Sequence, residues 1–126
     1  LVLARGFAAA LHRGQGAIVN VTSIAGHSTH PFAGSAYSTS KAALSGLTRE
    51  MAVEFAGIGV RVNAVAPGEI ETAMLSPETE ALIPRIPLAR LGQPDEVAAA
   101  IHYLCSPEAT YVTGTEIFIT GGQHLL

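Results

Sequence analysis

The apolar positions change period several times along the chain. Leu1 to Leu11 is apolar and alanine-rich, broken by Arg5, and reads as the tail of a helix that stops in the glycines of Arg13 to Gly16. Ala17 to Ser23 ("AIVNVTS") is a short β-branched run that predicts a buried strand. A loop from Ala25 to Ala36 follows. From Tyr37 the period becomes helical, with Leu44, Leu47, Met51 and Phe55 three and four apart, and the pattern ends near Gly57 and Gly59.

Val60 to Pro67 ("VRVNAVAP") is the second predicted strand, closed by Pro67 and Gly68. A polar stretch holding Pro77, Pro84 and Pro87 predicts irregular structure around a short helix. Gln93 to Ser106 opens with proline and two acids, as a helix start should. Thr115 to Thr120 is a third strand, ended by Gly121 and Gly122. Strands alternating with helices predict an α/β layered fold with a parallel sheet. There is no internal repeat and no low-complexity segment.

Composition narrows the function classes. With 126 residues, 48% of them apolar and 13% charged, the chain has the size and content of one packed domain. A net charge of -3 with scattered cations excludes the basic field that nucleic acid or an anionic membrane would need. The start resembles a signal sequence only in being apolar: Arg5 interrupts it and no basic region precedes it. No apolar run approaches the roughly 20 residues that span a bilayer. Cys105 is the single cysteine, which excludes an internal disulfide and suits a reducing cytoplasm. Histidines stand at 12, 27, 30, 102 and 124; the closest pair, His27 and His30, has no carboxylate or thiol beside it, so no metal site is expected.

The chemistry-bearing signal is a spacing. Lys41 is the only lysine, and it stands four residues after Tyr37. On a helix, positions i and i+4 share a face, so phenol and ammonium can converge. A free tyrosine has a pKa of about 10, and a nearby cation favours the phenolate, which makes a usable acid and base. The same spacing also suits a helix-end tyrosine beside a surface lysine. Ser23 falls at the C-terminal end of the first strand, where ligands of open α/β sheets bind. Its hydroxyl could bond a carbonyl oxygen, or it could cap the turn that follows.

Taken together, "IVNVTS", "AYSTSKAAL", "NAVAPGEIET" and "VTGTEIFITGG" resemble, in order and spacing, the short-chain dehydrogenase/reductase family. The resemblance covers nearly the whole chain. It implies the C-terminal half of a Rossmann-like, doubly wound parallel sheet, with about three strands and flanking helices, residues 1–126 forming the catalytic and substrate-binding half. It also implies NAD or NADP as cofactor and hydride exchange with an alcohol, ketone or aldehyde, as in 3-oxoacyl-carrier-protein reductases and sugar dehydrogenases. On that pattern Ser23 polarises the substrate oxygen, Tyr37 gives or takes the proton, and Lys41 supports the phenol and holds the nicotinamide ribose. Pro67 and Gly68 bring backbone close to the nicotinamide, Ile70 contacts its carboxamide, and Thr72 adds a hydroxyl. Homodimers or homotetramers are implied, paired through the small residues Ala42, Ala43, Ser45, Gly46 and Ala52.

Two departures accompany the match. The glycine-rich phosphate loop is absent; Gly57 to Val62 ("GIGVRV") enters a strand instead of leaving one. The family's relay asparagine belongs upstream of Leu1 to Arg13, and Asn20 and Asn63, placed in strands, are not substitutes. The dinucleotide-binding half, with the residue that selects NAD or NADP, is thus expected outside this chain. The substrate would be shaped by Ile24 to Ala36 and Ile70 to Gly92. The rival expectation is an inactive fragment that serves as an assembly module.

Overall fold

Neighbouring parallel strands cannot be joined by a tight turn, so a long crossover separates each pair here. The computed structural model describes residues 1–73, 75 and 77–126, the Pro77 side chain excepted. Strands β1 (Ala17–Val21), β2 (Arg61–Pro67) and β3 (Glu116–Ile119) form one parallel sheet in the order β1-β2-β3. Ala17 pairs with Arg61 and Val21 with Val65; Ala64 pairs with Glu116 and Pro67 with Ile119. This is the α/β parallel arrangement that the alternating pattern predicts.

Helices α1 (Val2–Gly6) and α2 (Ala8–Arg13) precede the sheet, α3 (Gly34–Ala56) links β1 to β2, and α4 (Pro94–Cys105) lies between β2 and β3. Val62 to Ala66 are all buried, an unbroken run, because helices cover both faces of the central strand. On one face Met51 and Phe55 of α3 pack with Val60 and Val62, joined at the edge by Leu11, Ile18 and Leu47. On the other, the Arg61 guanidinium donates to Leu104 O (2.7 Å) and Ser106 O (3.3 Å), closing the C-terminal end of α4. Asn63 is buried in the same layer. Its amide donates to Val112 O (2.8 Å) and its oxygen accepts from Thr115 N (3.1 Å), so both polar atoms of this core-strand side chain have a partner.

A polar row runs between α3 and the sheet. Asn20, Ala64 and Glu116 are in register across the three strands. Ala64 is small enough for the Glu116 side chain to lie over β2. Asn20 donates to Thr48 Oγ1 (2.9 Å), while Glu116 accepts from Ser45 (3.0 Å) and from Thr22. Hydrogen bonds at fixed positions therefore set where α3 sits along the sheet.

Element ends differ from the sequence reading. β1 stops at Val21 because Ser23 turns into a single 3-10 turn, Ile24–Gly26. α3 begins at Gly34, three residues before Tyr37, with no side-chain cap at Ala33, so no capping signal marks its start. The opening helix is split at Phe7, directly after Gly6, a poor helix former. Of the small residues on α3, Ser45 and Ala52 face inward, while Ala42 and Ala43 are exposed. Among the described residues no helix is long and apolar enough to cross a membrane. Beside β1 lies an apolar groove of 500 Å³, lined by Leu1, Phe7, Leu11, Ile18, Leu44 and Leu47 among others.

Candidate active site

The C-terminal ends of β1 and β2 open into a cleft of 330 Å³ that Ser23 and Tyr37 both line, together with His30, Phe32, Gly68 and Glu69. Open parallel sheets bind ligands at this end of their strands.

Ser23 has an extended backbone (φ -170°, ψ 154°), and its Oγ accepts from Ala25 N at 3.2 Å. The capping role is therefore real. It occupies a lone pair of the hydroxyl and leaves the proton for another acceptor, so capping and substrate contact are compatible. Gly26 closes the turn against α3. A Cβ there would lie 2.8 Å from Ala42 N and 2.9 Å from Lys41 C, both backbone atoms. Only glycine lets the chain leaving Ser23 rest directly on the helix that carries Tyr37 and Lys41.

Tyr37 stands in the first turn of α3 and is 47% exposed. The Lys41 Nζ lies 5.5 Å from its ring centroid and donates to Val21 O at 2.9 Å. Lys41 is thus neither a free surface lysine nor a core residue. Its ammonium joins the end of β1 to the face of the phenol, which fixes one of its three N–H groups and leaves the others directed elsewhere. Below them Ser45 donates to Lys41 O (3.2 Å), and the Glu116 carboxylate gathers Thr22, Ser45 and His27 (3.0 Å).

The second wall follows β2. Gly68 N donates to Ile119 O (3.0 Å), extending the ladder one residue past Pro67. A Cβ at Gly68 would meet Gln123 Oε1 at 2.7 Å and Thr120 Cα at 3.1 Å, so glycine is needed there for close packing. Ile70 makes an isolated parallel bridge with Gly92, through Gly92 N to Glu69 O (2.9 Å) and Glu71 N to Gly92 O (2.8 Å). In such a bridge the flanking residues supply the bonds, so Ile70's own N–H and C=O point away from Gly92. Thr72 lies exposed just beyond.

Charges tie this wall to the body of the protein. Arg90 forms a two-point pair with Glu96 (2.9 and 2.7 Å), and Glu96 also accepts from Gln93 N (2.7 Å). The Arg90 hydrogen bond, with the Gln93 N–H, holds the Glu96 carboxyl down to about 2. Gln93 in turn donates to Glu71 (2.6 Å), and His30 meets Glu69 at 2.6 Å across the cleft.

Ser23, Tyr37 and the Pro67 to Ile70 turn thus meet at one end of the sheet, with Lys41 behind the phenol. Sequence reasoning passed over Gly26, Glu69 and Glu116, and weighed His30 only as a metal ligand, without the Glu69 carboxylate that the fold brings to it. Only Glu69 had a local signal, since it directly follows the Pro67-Gly68 turn.

Residues 1–124 match the family model described as enoyl-(acyl carrier protein) reductase. The protein FixR of Bradyrhizobium diazoefficiens is 61% identical over 126 residues, which is 99% of this chain and 45% of that protein. A galactitol 2-dehydrogenase of Cereibacter sphaeroides is 46% identical over 117 residues, 87% of this chain and 46% of that one. The crystal structure of a 3-oxoacyl-[acyl-carrier protein] reductase with bound NAD from Brucella melitensis superposes with a TM-score of 0.89 at 36% identity. It covers 98% of this chain and 47% of its own. The chain spans about half the length of these relatives. With its parallel sheet, its cleft at the strand ends and a match over nearly every residue, it belongs to the short-chain dehydrogenase/reductase family.

Proposed function

We propose that these residues are the catalytic and substrate-binding half of an NAD(P)-dependent dehydrogenase or reductase that interconverts an alcohol and a carbonyl compound. The observation that carries the reading is the shared cleft: Ser23 and Tyr37 line it together, and the Lys41 ammonium lies against the phenol, anchored on Val21 O. The Ser23 proton, left over by the capping bond, contacts the substrate oxygen. Tyr37 gives that oxygen a proton, or takes one from it, with the positive charge of Lys41 beside the ring.

The donor set fits a nicotinamide nucleoside. Lys41 has N–H groups beyond the one on Val21 O for ribose hydroxyls, and the Ile70 N–H and C=O match the acceptor and donor of a carboxamide. Pro67 and Gly68 set that turn, and on the family pattern the Thr72 hydroxyl also contacts the cofactor. NAD or NADP, when bound, supplies or takes up the hydride. The relatives of twice the length, one of them solved with NAD, support a dinucleotide-binding half outside these 126 residues.

Assembly as a homodimer or homotetramer through the exposed face of α3, and a cytoplasmic location, belong to the same reading and rest on family analogy. The apolar groove beside β1 favours a second reading, an assembly module without activity. One assay separates them. The complete protein should oxidise NADH or NADPH in the presence of a ketone panel. Failure with both cofactors, at full folding, would leave the module reading.

A further inference from the structure

We infer that Glu69, held by His30, selects the substrate: a small neutral carbonyl compound that carries a hydroxyl near the reacting carbon, and not an acid. The inference rests on the cleft being the substrate site. Glu69 Oε1 and His30 Nε2 lie 2.6 Å apart, with side chains 10% and 15% exposed, and both line the cleft with Ser23 and Tyr37.

The hydrogen bonds assign the protons. Phe32 N–H donates to His30 Nδ1 at 3.3 Å, so Nδ1 keeps its lone pair and the ring hydrogen sits on Nε2, aimed at Glu69. Both ring nitrogens are used. His30 is therefore a positioning residue, fixing a carboxylate in the wall of the cleft. Placing a proton on Nδ1 would set two N–H groups against each other.

A carboxylate accepts and cannot donate, and its two oxygens offer about four acceptor sites, of which His30 takes one. Any second polar group of the substrate reaching this wall must be a donor. Among the described residues no lysine or arginine lines the cleft, so an anion entering it meets the Glu69 carboxylate with no such side chain in the lining to pair with. A hydroxyl fits better than an ammonium, since a wall this buried would strip a cation of its water. The volume of 330 Å³ lies at the small end for ligand sites.

Three four-carbon ketones test this on the complete protein with its preferred cofactor: 1-hydroxybutan-2-one, butan-2-one and 2-oxobutanoate. The hydroxyketone should exceed butan-2-one in kcat/KM by about 10- to 100-fold, the range of a hydrogen bond to a charged group. The oxoacid should be the poorest. Glu69→Leu should bring the first ratio close to one. Glu69→Gln, which keeps an acceptor and removes the charge, should raise the oxoacid relative to the hydroxyketone by about 10-fold, and it carries the test if the leucine variant does not fold. A Glu69→Leu variant that slows all three ketones equally would make the pair a loop brace and overturn the inference. So would a wild type that prefers 2-oxobutanoate. If no ketone is turned over, the proposed activity fails by itself. Saturation-transfer NMR of butane-1,2-diol then decides the inference: binding lost in Glu69→Leu supports it, and binding that is absent or unchanged refutes it.

Discussion

The two walls of the cleft are held in place by different physics. The wall from Ser23 to Lys41 is fixed by contact: Gly26 lies on the backbone of α3, and α3 is keyed to the sheet by part-buried hydrogen bonds, Thr48 accepting from Asn20 and Ser45 donating to Glu116. The wall from Gly68 to Gln93 packs closely only at Gly68 and is otherwise tied by polar pairs, the exposed Arg90 with Glu96 and the more buried Glu69 with His30. Packed interiors resist small displacements, whereas an exposed ion pair yields to salt and acid. The residues proposed to handle the proton stand on the rigid wall, and those proposed to read the substrate stand on the adjustable one.

The sharpest way to break this contrast is a single methyl group. Gly26→Ala places a Cβ within 2.9 Å of two backbone atoms that cannot step aside. Overpacking of that kind costs about 1–3 kcal/mol. Thermal unfolding of the complete protein should show it as a clear loss of Tm, accompanied by lower turnover because Tyr37 and Lys41 move with α3. A Gly26→Ala protein of unchanged Tm would mean that this wall is as yielding as the other.

A smaller effect is expected from acid. The Glu96 carboxyl is lowered from 4.5 to about 2 by Arg90 and the Gln93 N–H. A carboxyl depressed on folding adds stability that is fully present above its unfolded value and is lost as pH falls through its folded value. The contribution therefore fades between about pH 4.5 and 2. It is modest, because the pair is exposed to solvent. Tm measured across that window should fall less steeply in Glu96→Gln than in wild type. Equal slopes would remove Glu96 from the account.

Smallest of all should be Gly92→Ala. Its Cβ would come within 2.6 Å of Ile70 Cδ1, the far end of a flexible side chain. Re-seating that torsion costs about 0.5–1.5 kcal/mol, offset by about 0.4–1 kcal/mol from the stiffer unfolded chain. A Tm drop as large as that of Gly26→Ala would show the second wall to be rigid too.

The same division explains what could be read from the sequence. Tyr37 and Lys41 are one helical turn apart, and Ser23 follows the first strand by two residues, so local periodicity put them near one end of the sheet while their roles came only from the family resemblance. The strands were legible because the buried run Val62 to Ala66 contrasts with its polar and glycine-rich flanks. Glu69 meets His30 across 39 residues, and Thr22 meets Glu116 across 94. No period in the sequence reports such pairings, which exist only after the crossovers have brought strand ends together. Gly26 was hidden differently: its use is a close approach to α3, and one glycine in a loop carries no mark of what passes beside it. The start of α3 was misplaced by three residues because Ala33 supplies no cap.

The central claim, that the cleft between these walls moves a proton at a substrate oxygen, is tested most directly by Tyr37→Phe in the complete protein. The variant keeps the ring beside Lys41 and removes only the hydroxyl. Turnover of NADH or NADPH with the best ketone should fall by about 100- to 10,000-fold, the usual contribution of a positioned acid or base, with Tm unchanged. Wild-type turnover by the folded variant would contradict the account.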